Sequence, residues 1–142
     1  MTARTSSARW EGDLKGGNGT MAFGSGAYSG EYSFVSRFED GPGTNPEELL
    51  AAAHAGCFSM AVANLLAQAG TPATAIDTEA TVHLERVDGK STITRVVLAT
   101  VGEVPGIDEA TFAEKAELAK GACPVSKLFA GAEIELEVIF RG

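Results

Sequence analysis

Two cysteines, Cys57 and Cys123, are the residues of this chain with the clearest capacity for chemistry. Cys57 lies in the apolar stretch TNPEELLAAAHAGCFSMAVANLLAQAG, residues 44–70. A buried cysteine in such a stretch packs as a small hydrophobic residue, and burial raises the pKa of its thiol. A reactive Cys57 therefore requires a cation or a hydrogen-bond donor beside it, which predicts a nearby arginine.

Cys123 precedes Pro124 and is predicted at the N-cap of a short helix, where backbone N–H groups and the helix dipole favour a thiolate. The alternative is a chance cysteine at a helix boundary. Two thiols on different elements can pair during a reaction cycle if their Cα atoms come within about 7 Å. The corresponding chemistry is a sulfenic acid on one cysteine that condenses with the thiol of the other.

The composition excludes several classes of function. The net charge of -8 argues against a nucleic-acid or anionic-membrane partner, because either requires a basic face. Two cysteines are too few for a thiolate zinc site, and their spacing is not CxxC, so we expect no metal. The longest apolar run is interrupted by His54, Ser59, Asn64 and Gln68, and the N-terminus lacks the apolar core of a signal peptide. We therefore expect a cytoplasmic protein with a single domain over residues 1–142.

The elements that would position the two thiols follow from local patterns. Glycines divide the first third of the chain into short strands, and one of these is expected in EYSFVSRFE, with Arg37 and Val35 on one face. A long helix is predicted from Asn45 as N-cap, with Pro46 at its first position and Glu48 as the capping-box residue, to Gly70. Because this helix is apolar nearly all round, it must be enclosed by a sheet or by another subunit.

The remaining chain alternates strands with shorter helices. Alternation from Ile76 and the turn Asp88-Gly89 predict a hairpin, and Asp108 is expected to cap a second helix. The segment CPVSKLFA suggests a short helical turn, and AEIELEVIF a half-exposed antiparallel strand. The order predicts an α+β fold in which antiparallel sheets wrap around the long central helix.

Several segments together resemble the OsmC/Ohr family, the osmotically inducible protein C and organic hydroperoxide resistance proteins. They are the two cysteine motifs TNPEELLAAAHAGCFSMA and CPVSK, with ARWEGDLKGGNGT, SRFEDGPGTNPEEL and VPGID, which are more similar to the OsmC branch. The resemblance implies an OsmC-like fold and an intertwined homodimer. It also implies a thiol-dependent peroxidase of oxidative and osmotic stress defence, which reduces organic hydroperoxides and, more weakly, hydrogen peroxide. Such an enzyme has no metal or bound cofactor and takes electrons from an external dithiol, of the lipoyl type in part of the family.

The resemblance also assigns roles to four residues. It implies that Cys57 is the peroxidatic nucleophile, that Cys123 resolves its sulfenic acid, that Arg37 stabilises the thiolate and orients the peroxide, and that Glu47 pairs with that arginine. On local grounds alone, Arg37 is equally a surface ion-pair residue and Glu47 an acid at a helix start. Glu47 and Cys57 are ten residues apart, roughly 15 Å along a continuous helix. Either the helix bends or, as we predict, Arg37 and Glu47 reach Cys57 of the other subunit.

Other interpretations of the same residues are less favoured. His54, three residues before Cys57, is a candidate general base, although a packing role is the stronger expectation. The apolar surroundings of Cys57 also fit a non-enzymatic module that binds an apolar small molecule. A thiol-disulfide oxidoreductase without peroxidase action is disfavoured by the absence of CxxC.

Overall fold

A computed structural model describes residues 2–142. The chain divides into two compact units, Met1–Leu49 and Leu50–Gly142, and each is described by itself. The expectation of a single domain over the whole chain stays a prediction.

The first unit begins with the meander that the glycine spacing predicts. Its strands are β1 (Ser6–Glu11), β2 (Asn18–Phe23) and β3 (Ser29–Tyr32), paired antiparallel in the order β1-β2-β3. The chain turns at Gly12 and Gly26, whose φ angles of 92° and 78° lie in the left-handed region that glycine adopts without steric cost. The meander leads directly into the segment that carries Arg37.

That segment is a helix, so the strand predicted for EYSFVSRFE is wrong beyond Tyr32. The helix α1 spans Phe34–Phe38 and carries Arg37 in its last turn. Ser33 and Ser36 form a reciprocal capping box: Ser33 Oγ accepts from the Ser36 N–H at 3.1 Å, and Ser36 Oγ accepts from the Ser33 N–H at 2.8 Å. These two bonds satisfy helix-start N–H groups, and they override the alternation of the aromatic residues.

The long helix α2 spans Pro46–Gln68, and its termini confirm the sequence prediction. Asn45 Oδ1 accepts from the Glu48 N–H at 2.8 Å, as an N-cap does. The Glu48 carboxylate accepts from the Thr44 hydroxyl at 2.7 Å, a contact that the capping-box pattern did not predict. Gly70, with φ 81°, ends the helix in the left-handed conformation typical of a helix C-terminus.

The second unit is built on one three-stranded sheet. Its strands are β4 (Ala75–Val87), β5 (Lys90–Glu103) and β6 (Glu133–Arg141), in the order β4-β5-β6. Asp88 and Gly89 have φ angles of 50° and 76°, the two positive values that a type I′ hairpin requires, so that prediction is confirmed.

The prediction that the last strand is antiparallel is wrong, because β6 runs parallel to β5. Helices α3 (Glu109–Ala122) and α4 (Pro124–Leu128) connect the two strands. A helical crossover of this kind brings the chain back to the beginning of β5, so that β6 starts in the same direction. Asp108 caps α3 as predicted, its carboxylate accepting from the Thr111 N–H at 2.8 Å.

The part of α2 within the second unit buries one stripe against this sheet and α3. The buried stripe has a spacing of four residues and consists of His54, Phe58, Val62 and Leu66. It shares a core with residues of β5 and α3: Val96, Leu98, Phe112, Ala116 and Ala119.

The remaining surface of this part of α2 is half-buried or exposed within one chain. Only 22% of its most apolar 18-residue window is buried, and Met60 is 75% exposed. By length and composition alone α2 is a helix that could cross a membrane, a test that core helices of soluble proteins also pass. The expectation of a helix enclosed all round is therefore not met by the single chain.

Candidate active site

The fold brings together the two thiols that lie 66 positions apart in the sequence. Cys57 Sγ and Cys123 Sγ are 3.0 Å apart, and both cysteines are free. Cys57 is carried by the middle of α2, whereas Cys123 lies between α3 and α4, as C-cap of the first and N-cap of the second. The distance is that of a hydrogen bond between two thiols, so little movement would be needed to form the bond of about 2.05 Å of a disulfide.

The two thiols differ in access to solvent. Cys123 is fully buried, while Cys57 is half-buried and lies at a shallow, open depression of about 530 Å³. The depression is lined mainly by apolar side chains: Met60, Ala61, Leu65, Ala122 and Pro124. Asn64 contributes a polar side chain, an amide, to the lining. A molecule that enters from solvent therefore meets Cys57 first, and Cys123 can react with it only through Cys57.

The surroundings act on the two thiol pKa values in opposite directions. Burial raises the pKa of Cys57, the hydrogen bond with Cys123 raises it further, and the backbone of Val125 opposes both. For Cys123, burial acts upward, but the hydrogen bond from Cys57 and the backbone and hydroxyl of Ser126 together bring its pKa below the ordinary value. None of the groups that act on Cys57 is a cation, so the arginine required for its activation is not supplied by these contacts.

Arg37 and Glu47 form an ion pair within the first unit, in the combination that the resemblance implied. Arg37 Nη2 lies 2.7 Å from Glu47 Oε1, and Nε lies 3.2 Å from both carboxylate oxygens. The Glu47 side chain is 10% exposed and that of Arg37 35%. The guanidinium also lies over the Phe38 ring, at 5.2 Å from its centroid. With Nε and Nη2 occupied, Nη1 is the nitrogen left for a further acceptor, and it has no hydrogen bond within residues 2–142.

A cavity of about 420 Å³ opens beside Arg37 in the same unit. Its walls are mostly aromatic and include Trp10, Leu14, Tyr32, Phe34 and Phe38. A largely apolar cavity with a cation, Arg37, in its wall can bind a small organic molecule by its hydrocarbon part and orient its polar end.

The structure also places a polar pair behind the thiols that the sequence did not predict. His54 is fully buried, and its Nε2 lies 2.7 Å from Ser126 Oγ, while its ring packs edge-on against Phe129. Burial lowers the pKa of His54, which favours the neutral imidazole. The sequence signal for Ser126 is its position three residues after Cys123, at the third residue of α4.

Among residues 2–142, no group of three or more His, Cys, Asp and Glu side chains is placed to hold a metal ion. The polar groups that act on the thiols or line the depression beside them are Ser126, Asn64 and backbone amides. These groups suit hydrogen bonding to sulfur.

Comparison with known proteins gives a consistent result. The family model described as OsmC-like protein matches residues 39–138. Peroxiredoxin OsmC of Escherichia coli (strain K12) is 49% identical over 131 residues, covering 92% of this chain and 91% of that protein. An organic hydroperoxide resistance protein from Elizabethkingia anophelis has a TM-score of 0.77 at 24% identity and covers 99% of both chains. An OsmC-like protein of unknown function from Vibrio cholerae has a TM-score of 0.77 at 18% identity, covering 98% of this chain and 100% of that one. At these identities the two structures establish the fold alone.

Proposed function

Since the chain belongs to the OsmC family, we propose that it is a thiol-dependent peroxidase that reduces organic hydroperoxides, with Cys57 as peroxidatic and Cys123 as resolving cysteine. The observation that carries the proposal is the contact of 3.0 Å between a half-buried and a fully buried thiol, at an apolar depression. The relative with 49% identity is named a peroxiredoxin, which supports the same reaction class.

In the first step the Cys57 thiolate attacks the distal oxygen of the hydroperoxide. The S–O bond forms as the O–O bond breaks, Cys57 becomes a sulfenic acid, and the alkoxide takes up a proton to leave as an alcohol. Access selects Cys57 for this step, because Cys123 is fully buried behind it.

In the second step Cys123 attacks the sulfur of the sulfenic acid. The S–S bond forms, and the hydroxide that leaves Cys57 takes up the proton lost by Cys123 and departs as water. An external dithiol then reduces the disulfide and is itself oxidised to a disulfide, which returns both cysteines to thiols. A lipoyl-type dithiol is the candidate reductant. A reducing compartment such as the cytoplasm would keep both cysteines in the thiol form.

Activation of Cys57 is proposed to come from Arg37 and Glu47 of a second subunit. The helix α2 extends from Pro46 to Gln68, and ten residues of helix between Glu47 and Cys57 correspond to about 15 Å of rise. The uncovered apolar surface of α2, which includes Met60, supports a homodimer that would cover it. Glu47 holds the guanidinium by two nitrogens, and Nη1 is left to donate to a thiolate or to a peroxide oxygen.

The aromatic cavity beside Arg37 is the proposed binding site for the organic part of the substrate. Its volume of about 420 Å³ exceeds the needs of hydrogen peroxide and lies in the range of small-molecule sites. This explains a preference for organic hydroperoxides over hydrogen peroxide. If the cavity binds apolar ligands but the thiols consume no peroxide, the chain is instead a binding module.

The assay for the reaction is consumption of cumene hydroperoxide with dithiothreitol or dihydrolipoamide, by wild type, Cys57→Ser and Cys123→Ser. We expect no turnover by Cys57→Ser, and a sulfenic acid that persists in Cys123→Ser. Mass spectrometry of the oxidised wild type should find the Cys57–Cys123 disulfide within one chain. Full activity of Cys57→Ser would disprove the mechanism.

Mixing two inactive variants tests which chain supplies the arginine. In a heterodimer of Cys57→Ser with Arg37→Ala, sharing across subunits leaves one site with both an intact thiol pair and an intact arginine. We expect activity to reappear after denaturation and refolding of the mixture, up to about half of the wild-type activity per heterodimer. Assembly of each site from one chain predicts no recovery, because every site then carries one defect.

A further inference from the structure

Two buried polar side chains, His54 and Ser126, lie on the interior side of the buried thiol. His54 on α2 contacts Ser126 on α4 at 2.7 Å between Nε2 and Oγ. Ser126 is the third residue of α4 and Cys123 is its N-cap, two positions whose side chains face each other at a helix start, and the Ser126 hydroxyl acts to lower the pKa of Cys123. His54 is fully buried and Ser126 is 4% exposed, so water does not compete for these contacts.

The unpaired ring nitrogen of His54 indicates which atom donates in the hydrogen bond between His54 and Ser126. Nδ1 is buried and has no partner in the part of the chain that the structure describes. An unpaired lone pair on a buried nitrogen costs less than an unpaired N–H, which places the hydrogen of the neutral ring on Nε2. Nε2–H then donates to Ser126 Oγ, and the Ser126 hydroxyl is free to donate to Cys123 Sγ.

We propose that His54 and Ser126 hold Cys123 as the attacking thiolate when the disulfide forms, and that they stabilise the same thiolate as leaving group when the disulfide is reduced. The inference rests on the proposed function of the thiol pair. Ser126 acts on the sulfur of Cys123 through its hydroxyl, whereas His54 acts through Ser126 and is a positioning residue.

The chemistry of both half-reactions balances with this arrangement. In disulfide formation the Cys123 thiolate supplies the electron pair of the S–S bond, and the hydroxide that leaves Cys57 takes up the proton that Cys123 released. In reduction, a thiolate of the external dithiol attacks Cys57 Sγ and Cys123 leaves. The better-stabilised thiolate is the better leaving group, so the reductant should form its mixed disulfide with Cys57, which is also the accessible sulfur.

The contacts of His54 are consistent with its role as a hydrogen-bond donor to Ser126. Burial is the only cause that acts on its pKa, and its contacts from α4 are the hydroxyl of Ser126 and the ring of Phe129. Lys127, the charged residue of α4, is exposed to solvent. Burial thus favours the neutral imidazole as a hydrogen-bond donor to Ser126.

The test separates the two half-reactions in stopped-flow experiments with one equivalent of cumene hydroperoxide. Ser126→Ala removes the hydroxyl that contacts His54 and acts on Cys123, and His54→Leu removes only the hydrogen bond to that hydroxyl. We expect the rate of disulfide formation to fall about tenfold for Ser126→Ala at neutral pH, because losing the hydroxyl raises the pKa of Cys123 and lowers its thiolate fraction. The rate should then increase with pH until it reaches the wild-type value, while the first oxidation step stays unchanged.

Matched variants distinguish this effect from a loss of packing. Ser126→Thr keeps the hydroxyl and His54→Gln keeps an N–H donor, so both should restore disulfide formation. Ser59→Ala removes a hydroxyl of α2 that bonds to Thr78 at 2.8 Å, away from the thiols, and should leave the rate unchanged. Equal slowing by Ser126→Thr, or a Ser126→Ala variant that forms the disulfide at the wild-type rate at every pH, would overturn the proposal.

A second measurement does not depend on peroxide. Ultraviolet absorbance of the thiolate during a pH titration reports the ionisation of Cys123 in a Cys57→Ser background. We expect that adding Ser126→Ala raises the pKa of Cys123 in this background, and an unchanged titration would contradict the proposal. If wild type consumes no peroxide but Ser126→Ala still shifts the titration, the proposed peroxidase function is wrong, and the stabilisation of the Cys123 thiolate by Ser126 is still supported.

Discussion

Gly56→Leu is expected to change the stability of the protein in opposite directions depending on what covers α2. Gly56 lies inside the helix, and a Cβ added to it has no atom within 4 Å in the single chain. Glycine in a helix interior is about 1 kcal/mol less favourable than alanine, and leucine is nearly as good as alanine. If this face stays in water, Gly56→Leu stabilises the chain by roughly 0.7 kcal/mol.

If the face packs against a second subunit, the sign reverses. Gly56 is flanked one turn away by Ala52, Ala53 and Met60, all exposed, so small residues would allow close approach of the partner. Overpacking costs about 1–3 kcal/mol at one site, and a two-fold interface repeats the change in both subunits. We therefore expect a loss of about 2–6 kcal/mol per dimer, with dissociation at micromolar concentration.

The measurements are sedimentation equilibrium and urea unfolding at two protein concentrations. Wild type should be dimeric and should unfold at higher urea when more concentrated, because dimerisation stabilises the native state by mass action. Gly121→Leu is the matched control, since Gly121 lies in α3 and also has open space around an added Cβ. A Gly56→Leu variant that resists more urea than wild type and sediments identically would refute the interface on this face.

Four further substitutions have expected outcomes. Arg37→Ala should lower the free energy of unfolding in urea titrations by about 2–3 kcal/mol, because it leaves the buried Glu47 carboxylate without its partner. Glu47→Ala should lower it by only about 1 kcal/mol, because the Arg37 guanidinium can turn to water. Equal losses for the two variants would contradict this. Phe58→Ala, in the fully buried stripe, should cost about 3–5 kcal/mol by the same method. Interactions with Thr111 lower the pKa of Asp108 in the folded state. The charged Asp108 therefore stabilises the fold at pH values above the ordinary carboxyl pKa, and this stabilisation is lost as the pH falls through the lowered pKa. Asp108→Asn should remove that part of the acid dependence in thermal unfolding followed from pH 7 to pH 2.

Features that depend on a few adjacent residues were predictable from the sequence. The start of α2 is fixed by Asn45 and Pro46, and its end by Gly70, each of which acts on the backbone within one turn. The hairpin follows in the same way from Asp88-Gly89. These signals require no knowledge of distant contacts, which is why they hold in the fold.

The errors arise where the pattern is compatible with two structures. An alternating strand reads the same whether its neighbour is parallel or antiparallel, so the direction of β6 depends on the crossover through α3 and α4. In EYSFVSRFE, the aromatic spacing suits a strand, and the Ser33–Ser36 capping box decides for a helix. The partnership of His54 with Ser126 depends on how α4 docks against α2, and the two residues are 72 positions apart.

The position of Cys57 on α2 connects the fold to the proposed chemistry. The helix buries one stripe in its own chain and leaves its other residues half-buried or exposed, and Cys57 lies at the margin of the stripe. There the thiol is close enough to Cys123 to form a disulfide, yet burial and the hydrogen bond with Cys123 raise its pKa. If the compensating cation belongs to a partner subunit, an isolated chain holds a complete pair of thiols in an unreactive state, and dimerisation both covers α2 and activates Cys57. Dilution below the dimer dissociation constant should then abolish the first oxidation step, while a disulfide-forming oxidant such as diamide would still link the two cysteines.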